Sequence, residues 1–217
     1  MKDEGHSGTD RTKKGEAEMT IAPDKLPMVS AVNNIQGPGQ GRWTYEDYAA
    51  LPDDGKRYEI VDGVLYMAPS PGRWHQKAIG KLYNYLSRYI DDEKLGEVYI
   101  APFDVVLAYN QTVQPDVSVI LNDHRDRITD NHIVGAPDLV VEVISPGSAG
   151  YDRREKQNMY ARAGVPEYWL VDPAAHTVEV LSLEYSEYRS LGVFQGKATL
   201  PTRLIASFPV HVEQFFA

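Results

Sequence analysis

Asp138-Leu-Val-Val-Glu-Val-Ile-Ser-Pro146 constrains this chain more than any other stretch. A short apolar, β-branched run closed by Pro146-Gly147 predicts a strand buried on both faces. Glu142 stands in the middle of it, where a charge is costly unless it is paired or holds a metal. A second run, Val113-Gln-Pro-Asp-Val-Ser-Val-Ile120, carries its own embedded acid, Asp116, directly after Pro115. Two acids on neighbouring strands point to a divalent-metal site.

Composition narrows what such a site can be. The 217 residues include no cysteine, which removes disulfide frameworks, thiol nucleophiles and thiolate zinc sites together. Any metal must be held by oxygen or imidazole. The sequence shows no apolar run of about 18 residues and no signal-peptide core, so a soluble, cytoplasmic protein without membrane contact is expected. The formal net charge of −9 argues against a protein that coats nucleic acid electrostatically. It does not exclude a nuclease, because a catalytic acid cluster adds negative charge that a bound cation offsets locally.

Along the chain, residues 1–41 are polar and punctuated by Gly and Pro, ending in Gln36-Gly-Pro-Gly-Gln-Gly41, and predict a disordered arm. Its bases and acids nearly cancel, so it is no basic nucleic-acid tail. Residues 42–217 then form a single domain. Thr44 to Leu51 predicts a short capped helix, and Arg57 to Met67 predicts two strands turning at Asp62-Gly63. From His75 to Ile90, apolar residues at helical spacing predict an amphipathic helix with His75 on its inner face. Strand-like runs follow at 97–107, 113–121 and 138–145, with a polar connection over 122–137. Asp152 to Ala163 predicts a second helix, ended by Gly164 and Pro166, whose packed face carries Lys156, Met159, Tyr160 and Ala163. Strands at 167–172 and 177–183 precede a less regular tail ending in Phe215-Phe216.

The order helix, three strands, helix, strand, with Pro-Asp on the second strand and a glutamate on the third, is similar to the core of the PD-(D/E)xK nuclease superfamily. More narrowly, the chain resembles the Uma-two family of putative restriction endonucleases. The matching pieces are Tyr58-Glu-Ile-Val-Asp-Gly63, His75-Gln76, Gln114-Pro-Asp-Val117, Asp138 to Pro146, Lys156 with Tyr160, and Gly164-Val-Pro-Glu-Tyr-Trp-Leu-Val-Asp172. The resemblance implies an α/β fold with a restriction-endonuclease-like core, a mixed sheet flanked by helices, preceded by a β-hairpin. It implies DNA as substrate. One position departs from the superfamily pattern: the lysine two residues after the acid of the third strand would fall at 144, which is Ile144. Resemblance to the narrower family suggests that Lys156, on the next helix, reaches into the same space.

The chemistry that goes with this is hydrolysis of phosphodiesters. Asp116 and Glu142, with the carbonyl of Val143, suit Mg²⁺ or Mn²⁺, which prefer hard oxygen ligands. Lys156 would position the attacking water and stabilise transition-state charge. His75 and Glu59 are further candidates, as an outer metal ligand or a substrate contact, and Asp104 follows behind them. Two-fold duplex symmetry favours a homodimer. Two other readings stay open: a catalytically weak nucleic-acid-binding or assembly module, and an unrelated metal-dependent hydrolase, which would need a deep enclosed pocket in place of an open groove.

Overall fold

The computed structural model describes residues 29–205 and 207–217. Its strands are β1 (Ser30–Ala31), β2 (Arg57–Val61), β3 (Val64–Ala68), β4 (Gly96–Ile100), β5 (Asp104–Ala108), β6 (Gln111–Val113), β7 (Val117–Leu121), β8 (His132–Val134), β9 (Leu139–Val143), β10 (Glu167–Asp172), β11 (Thr177–Glu184) and β12 (Glu187–Gln195). They form two mixed six-stranded sheets, ordered β1-β3-β2-β6-β5-β8 and β12-β11-β10-β9-β7-β4. The helices are α1 (Tyr45–Ala49), α2 (Arg73–Ile90), and a composite of α3 (Ala149–Tyr151), a π-helical turn (Asp152–Lys156) and α4 (Gln157–Ala163).

The second sheet is the expected core. After α2 come β4, β7 and β9, antiparallel in turn; the composite helix then carries the chain to β10, which runs parallel to β9. Leu139, Val141 and Val143 pack in one cluster with Leu82, Leu86 and Ile90 of α2. Val140 and Ile144 pack in the other, with Met159, Tyr160 and Tyr168. The sheet is therefore covered on both sides, and each fully buried Leu or Ile stabilises by about 1.5–3 kcal/mol relative to exposure.

Two of the strand-like runs differ from expectation. Residues 97–107 divide into β4 and β5, and 113–121 into β6 and β7, the two members of each pair lying in different sheets. Pro102 and Pro115 stand in the breaks. Lacking an N–H, a proline cannot continue a ladder from the middle of a strand, and here the chain leaves one sheet for the other. The 122–137 connection likewise carries β8, which pairs with β5 in the first sheet.

The hairpin and helix caps follow the sequence closely. Asp62 and Gly63 turn with φ of 51° and 71°, the left-handed pair of a two-residue hairpin. Thr44 and Asp47 form a reciprocal capping box, and Gly164 ends α4 in the left-handed conformation.

Part of the expected disordered arm is seated instead on the domain. Residues 1–28 lie outside the described residues. β1, however, pairs with β3, and Gln40 accepts from Leu65 N at 2.7 Å while donating to Val32 O. The physical reason is the free edge of β3, whose backbone groups need partners. At the other end, β12 pairs along β11, and Phe215 of the irregular tail is fully buried beside Tyr85 and Phe208.

Candidate active site

Side-chain alternation on β9 puts Glu142 on the same face as Val140 and Ile144, towards the composite helix. There Tyr160 Oη donates to Glu142 Oε1 at 2.7 Å, and Lys156 Nζ donates to the same oxygen at 2.9 Å. Lys156 also donates to Glu59 Oε1 of β2 at 2.9 Å and lies 4.0 Å from Asp152 Oδ1. The lysine is buried, at the end of the π-helical turn. Such widened turns recur at functional positions.

Asp116 stands where β7 begins. Its Oδ2 accepts from Val143 N at 2.8 Å and lies 3.1 Å from His75 Nε2 in the first turn of α2. The Pro-Asp dipeptide explains this arrangement. Val117 pairs with Val141, so the register continued by two places would set residue 115 opposite Val143. Ala101 N donates to Asp116 O, and Ile144 N to Val171 O. The alternating directions of strand groups therefore aim the N–H and C=O of Val143 at residue 115. Pro115 has no N–H to give the carbonyl. The Asp116 carboxylate satisfies the N–H, and the Val143 carbonyl receives no donor from residue 115.

Glu59, Asp116, Glu142, Lys156 and His75 all line one cleft of about 500 Å³, so the sequence candidates converge. Ser70, Trp74 and Pro146 in its lining are exposed, so among the described residues the cleft opens to solvent. The hydrogen bonds engage one oxygen of each main carboxylate: Oε1 of Glu59 and Glu142, and Oδ2 of Asp116. Asp104 lies elsewhere, where it accepts from Tyr48 and Gln114 at 2.9 Å and ties α1 to the first sheet. Ile144 is buried beside Glu142, and Lys156 supplies the cation that this position lacks.

Three acids surround one lysine, and their charges set its state. Burial disfavours the ammonium, but the carboxylates of Glu142, Glu59 and Asp152 outweigh it and raise the pKa of Lys156, which stays charged. Burial, joined by the charges of Asp116, Asp152 and Glu59, pushes Glu142 up to about 8 against the pull of Lys156. Burial also raises Asp152 to about 6. One cation does not neutralise the cluster, and burial favours the protonated forms of Glu142 and Asp152.

Sequence reasoning missed Asp152 and Tyr151. Asp152 had a signal, its i, i+4 spacing to Lys156. Tyr151 had none; its hydroxyl is buried with no partner among the described residues, and its ring lies 5.5 Å from Lys156 Nζ. Tyr160, expected as core, is fully buried and also bonds Glu142.

Comparison with known proteins places the chain in a family. The family model Uma2, described as "Putative restriction endonuclease", matches residues 45–212. The chain belongs to this family. The Uma2 match takes in every site residue named above. The chain is also similar to two uncharacterized proteins of Synechocystis sp. (strain ATCC 27184 / PCC 6803 / Kazusa). It is 27% identical to sll1609 over 57% of this chain and 71% of that one, and 30% identical to slr1290 over 58% and 65%. A solved structure from Anabaena variabilis ATCC 29413, described as a putative nuclease belonging to DUF820, superposes with a TM-score of 0.68. It has 18% identity, covering 80% of this chain and 97% of that chain. At that identity the likeness is one of fold. Uma2 membership and the restriction-endonuclease-like core together support a nuclease. Among the described residues no helix is long and apolar enough to cross a membrane.

Proposed function

We propose that the protein is a metal-dependent endonuclease that hydrolyses DNA phosphodiester bonds in this cleft. One observation carries the reading. Asp116 and Glu142 are each held through one carboxylate oxygen, beside the Val143 backbone and a buried ammonium. Among the described residues no three His, Asp or Glu side chains gather as a metal-holding group. The donor set that fits is smaller: Asp116, Glu142 and the Val143 carbonyl, all hard oxygens, suited to Mg²⁺ or Mn²⁺ that retain several waters.

A cation bound there would polarise the scissile phosphate and make a water reactive near neutral pH. The chain's own groups do the rest. Lys156, fixed by Glu59 and Glu142, presents a permanent positive charge to the attacking water and to the developing charge on phosphate. His75 fixes the Asp116 carboxylate from the α2 side. Tyr160 orients Glu142 from below. A two-fold dimer, presenting two such clefts to a symmetric duplex, belongs to the same reading.

The rival reading is a DNA-binding or assembly module of the same fold with weak or no catalysis, which the two-carboxylate donor set among the described residues also suits. Supercoiled plasmid incubated with Mn²⁺ or Mg²⁺ separates them, with wild type beside Glu142→Ala and Lys156→Ala. Nicking by wild type alone supports the nuclease. Equal nicking by all three proteins, or none by any, sinks the mechanism.

A further inference from the structure

Trp74 is out of place as a core residue. It stands one helical turn before Ala78, on the flank of α2 that carries the apolar stripe, yet it is 54% exposed while Ala78 is buried. The core ends between them, and the first turn of α2 projects into the mouth of the cleft, where Arg73, Trp74 and His75 all line the wall. Two cations lie over the indole ring: the Arg73 guanidinium 4.5 Å from its centroid and Lys77 Nζ 5.6 Å from it, long side chains that a stacking base displaces towards its phosphates. The residue after Trp74 is His75, which holds Asp116. An exposed aromatic ring, flanked by cations, is thus covalently next to a fixed contact of the proposed catalytic acid.

We infer that Trp74 is a stacking platform for an unpaired nucleobase, with Arg73 and Lys77 meeting the phosphates on either side of it. Stacking on an aromatic ring needs no particular base, since every base has a π-face, and cations beside the ring track the backbone. In a continuous duplex those faces are covered by neighbouring bases. The platform therefore selects nucleic acid that is single-stranded, frayed or opened near the scissile bond. The local cations matter the more because the chain as a whole carries a formal charge of −9, which repels phosphate at longer range. This inference rests on the cleft being the site of nucleic-acid cutting and names the substrate class that it takes.

The test uses the full chain and a fluorescein-labelled single-stranded oligodeoxynucleotide, beside the same sequence as a blunt duplex. Binding is read by anisotropy in Ca²⁺, with plasmid nicking in Mn²⁺ measured in parallel. Trp74→Ala should weaken single-strand binding by about 5- to 150-fold, the range for loss of one base-stacking side chain, while Trp74→Phe keeps most of it. Duplex binding should change less. Trp43 and Trp169 are buried, so intrinsic tryptophan emission, dominated in its solvent-accessible part by Trp74, should be quenched by the unlabelled strand. Unchanged single-strand affinity in Trp74→Ala overturns the platform, whether or not the protein nicks plasmid. Absence of single-strand binding by wild type also overturns it and leaves the indole to a protein contact. Trp74-dependent binding without any nicking supports the platform and sinks the nuclease reading alone.

Discussion

Lys156 Nζ lies 2.9 Å from Glu59 Oε1, across 97 residues of chain. The pair joins a strand of the hairpin sheet to the helix that covers the core sheet, and Glu142 meets the same ammonium at the same distance. One lysine thereby closes the cleft between two sheets and furnishes its only buried cation among the described residues.

Removing that ammonium leaves the buried Glu59 and Glu142 carboxylates without their cation. Lys156→Met should lower the unfolding free energy by about 3–5 kcal/mol, the usual cost of breaking a buried ion pair from one side. Urea denaturation measures it. The double variant with Glu59→Gln should lose less than the sum of the two single losses, because both act on one contact. Strict additivity would mean that Glu59 and Lys156 do not interact.

The raised pKa of Glu142 gives a pH dependence of definite sign. Between an ordinary value of 4.5 and about 8 the folded protein holds a proton that the unfolded chain has released. Stability therefore falls as pH rises through that window. Asp152, raised to about 6, acts in the same direction at the lower end. The contribution of Lys156 is intact throughout, since it is lost only above the ordinary lysine value of 10.5. In EDTA the melting temperature should be lower at about pH 8.5 than at about pH 6, and Mn²⁺ should raise it more at the higher pH, where no proton competes for the carboxylate. A melting temperature that climbs with pH in EDTA would contradict this.

Pro115 can be tested through the N–H that it lacks. Pro115→Ala supplies a donor opposite the Val143 carbonyl and should weaken Mn²⁺ binding in isothermal titration while far-UV circular dichroism stays unchanged. Affinity equal to wild type would remove that carbonyl from the donor set.

Gly37 tests whether residues 29–41 belong to the folded domain. A Cβ there would clash with the ring of Trp43, which is buried. Gly37→Ala should cost about 1–3 kcal/mol by overpacking, seen as a lower melting temperature. A variant as stable as wild type would show that the segment does not dock.

Much of the site was legible in the sequence because its residues break local rules. Glu142 interrupts an apolar strand and Asp116 follows a proline, so each demanded an explanation before any contact was known. Local chemistry likewise determined the Asp62-Gly63 turn, the capping box at Thr44 and the stop at Gly164. Lys156 could be assigned to the packed face of its helix by spacing, but spacing has no reach across space. That it meets Glu59 and Glu142, that Asp152 joins them, and that Tyr151 lines the wall follow only from how two sheets close on one helix. The division of two strand-like runs between those sheets was equally hidden: a proline forbids a continuous ladder, but only the competing edges of the tertiary structure decide which sheet each half joins. The sequence determined which groups are chemically out of place; the fold decided where they meet, because burial and long-range pairing depend on the whole chain.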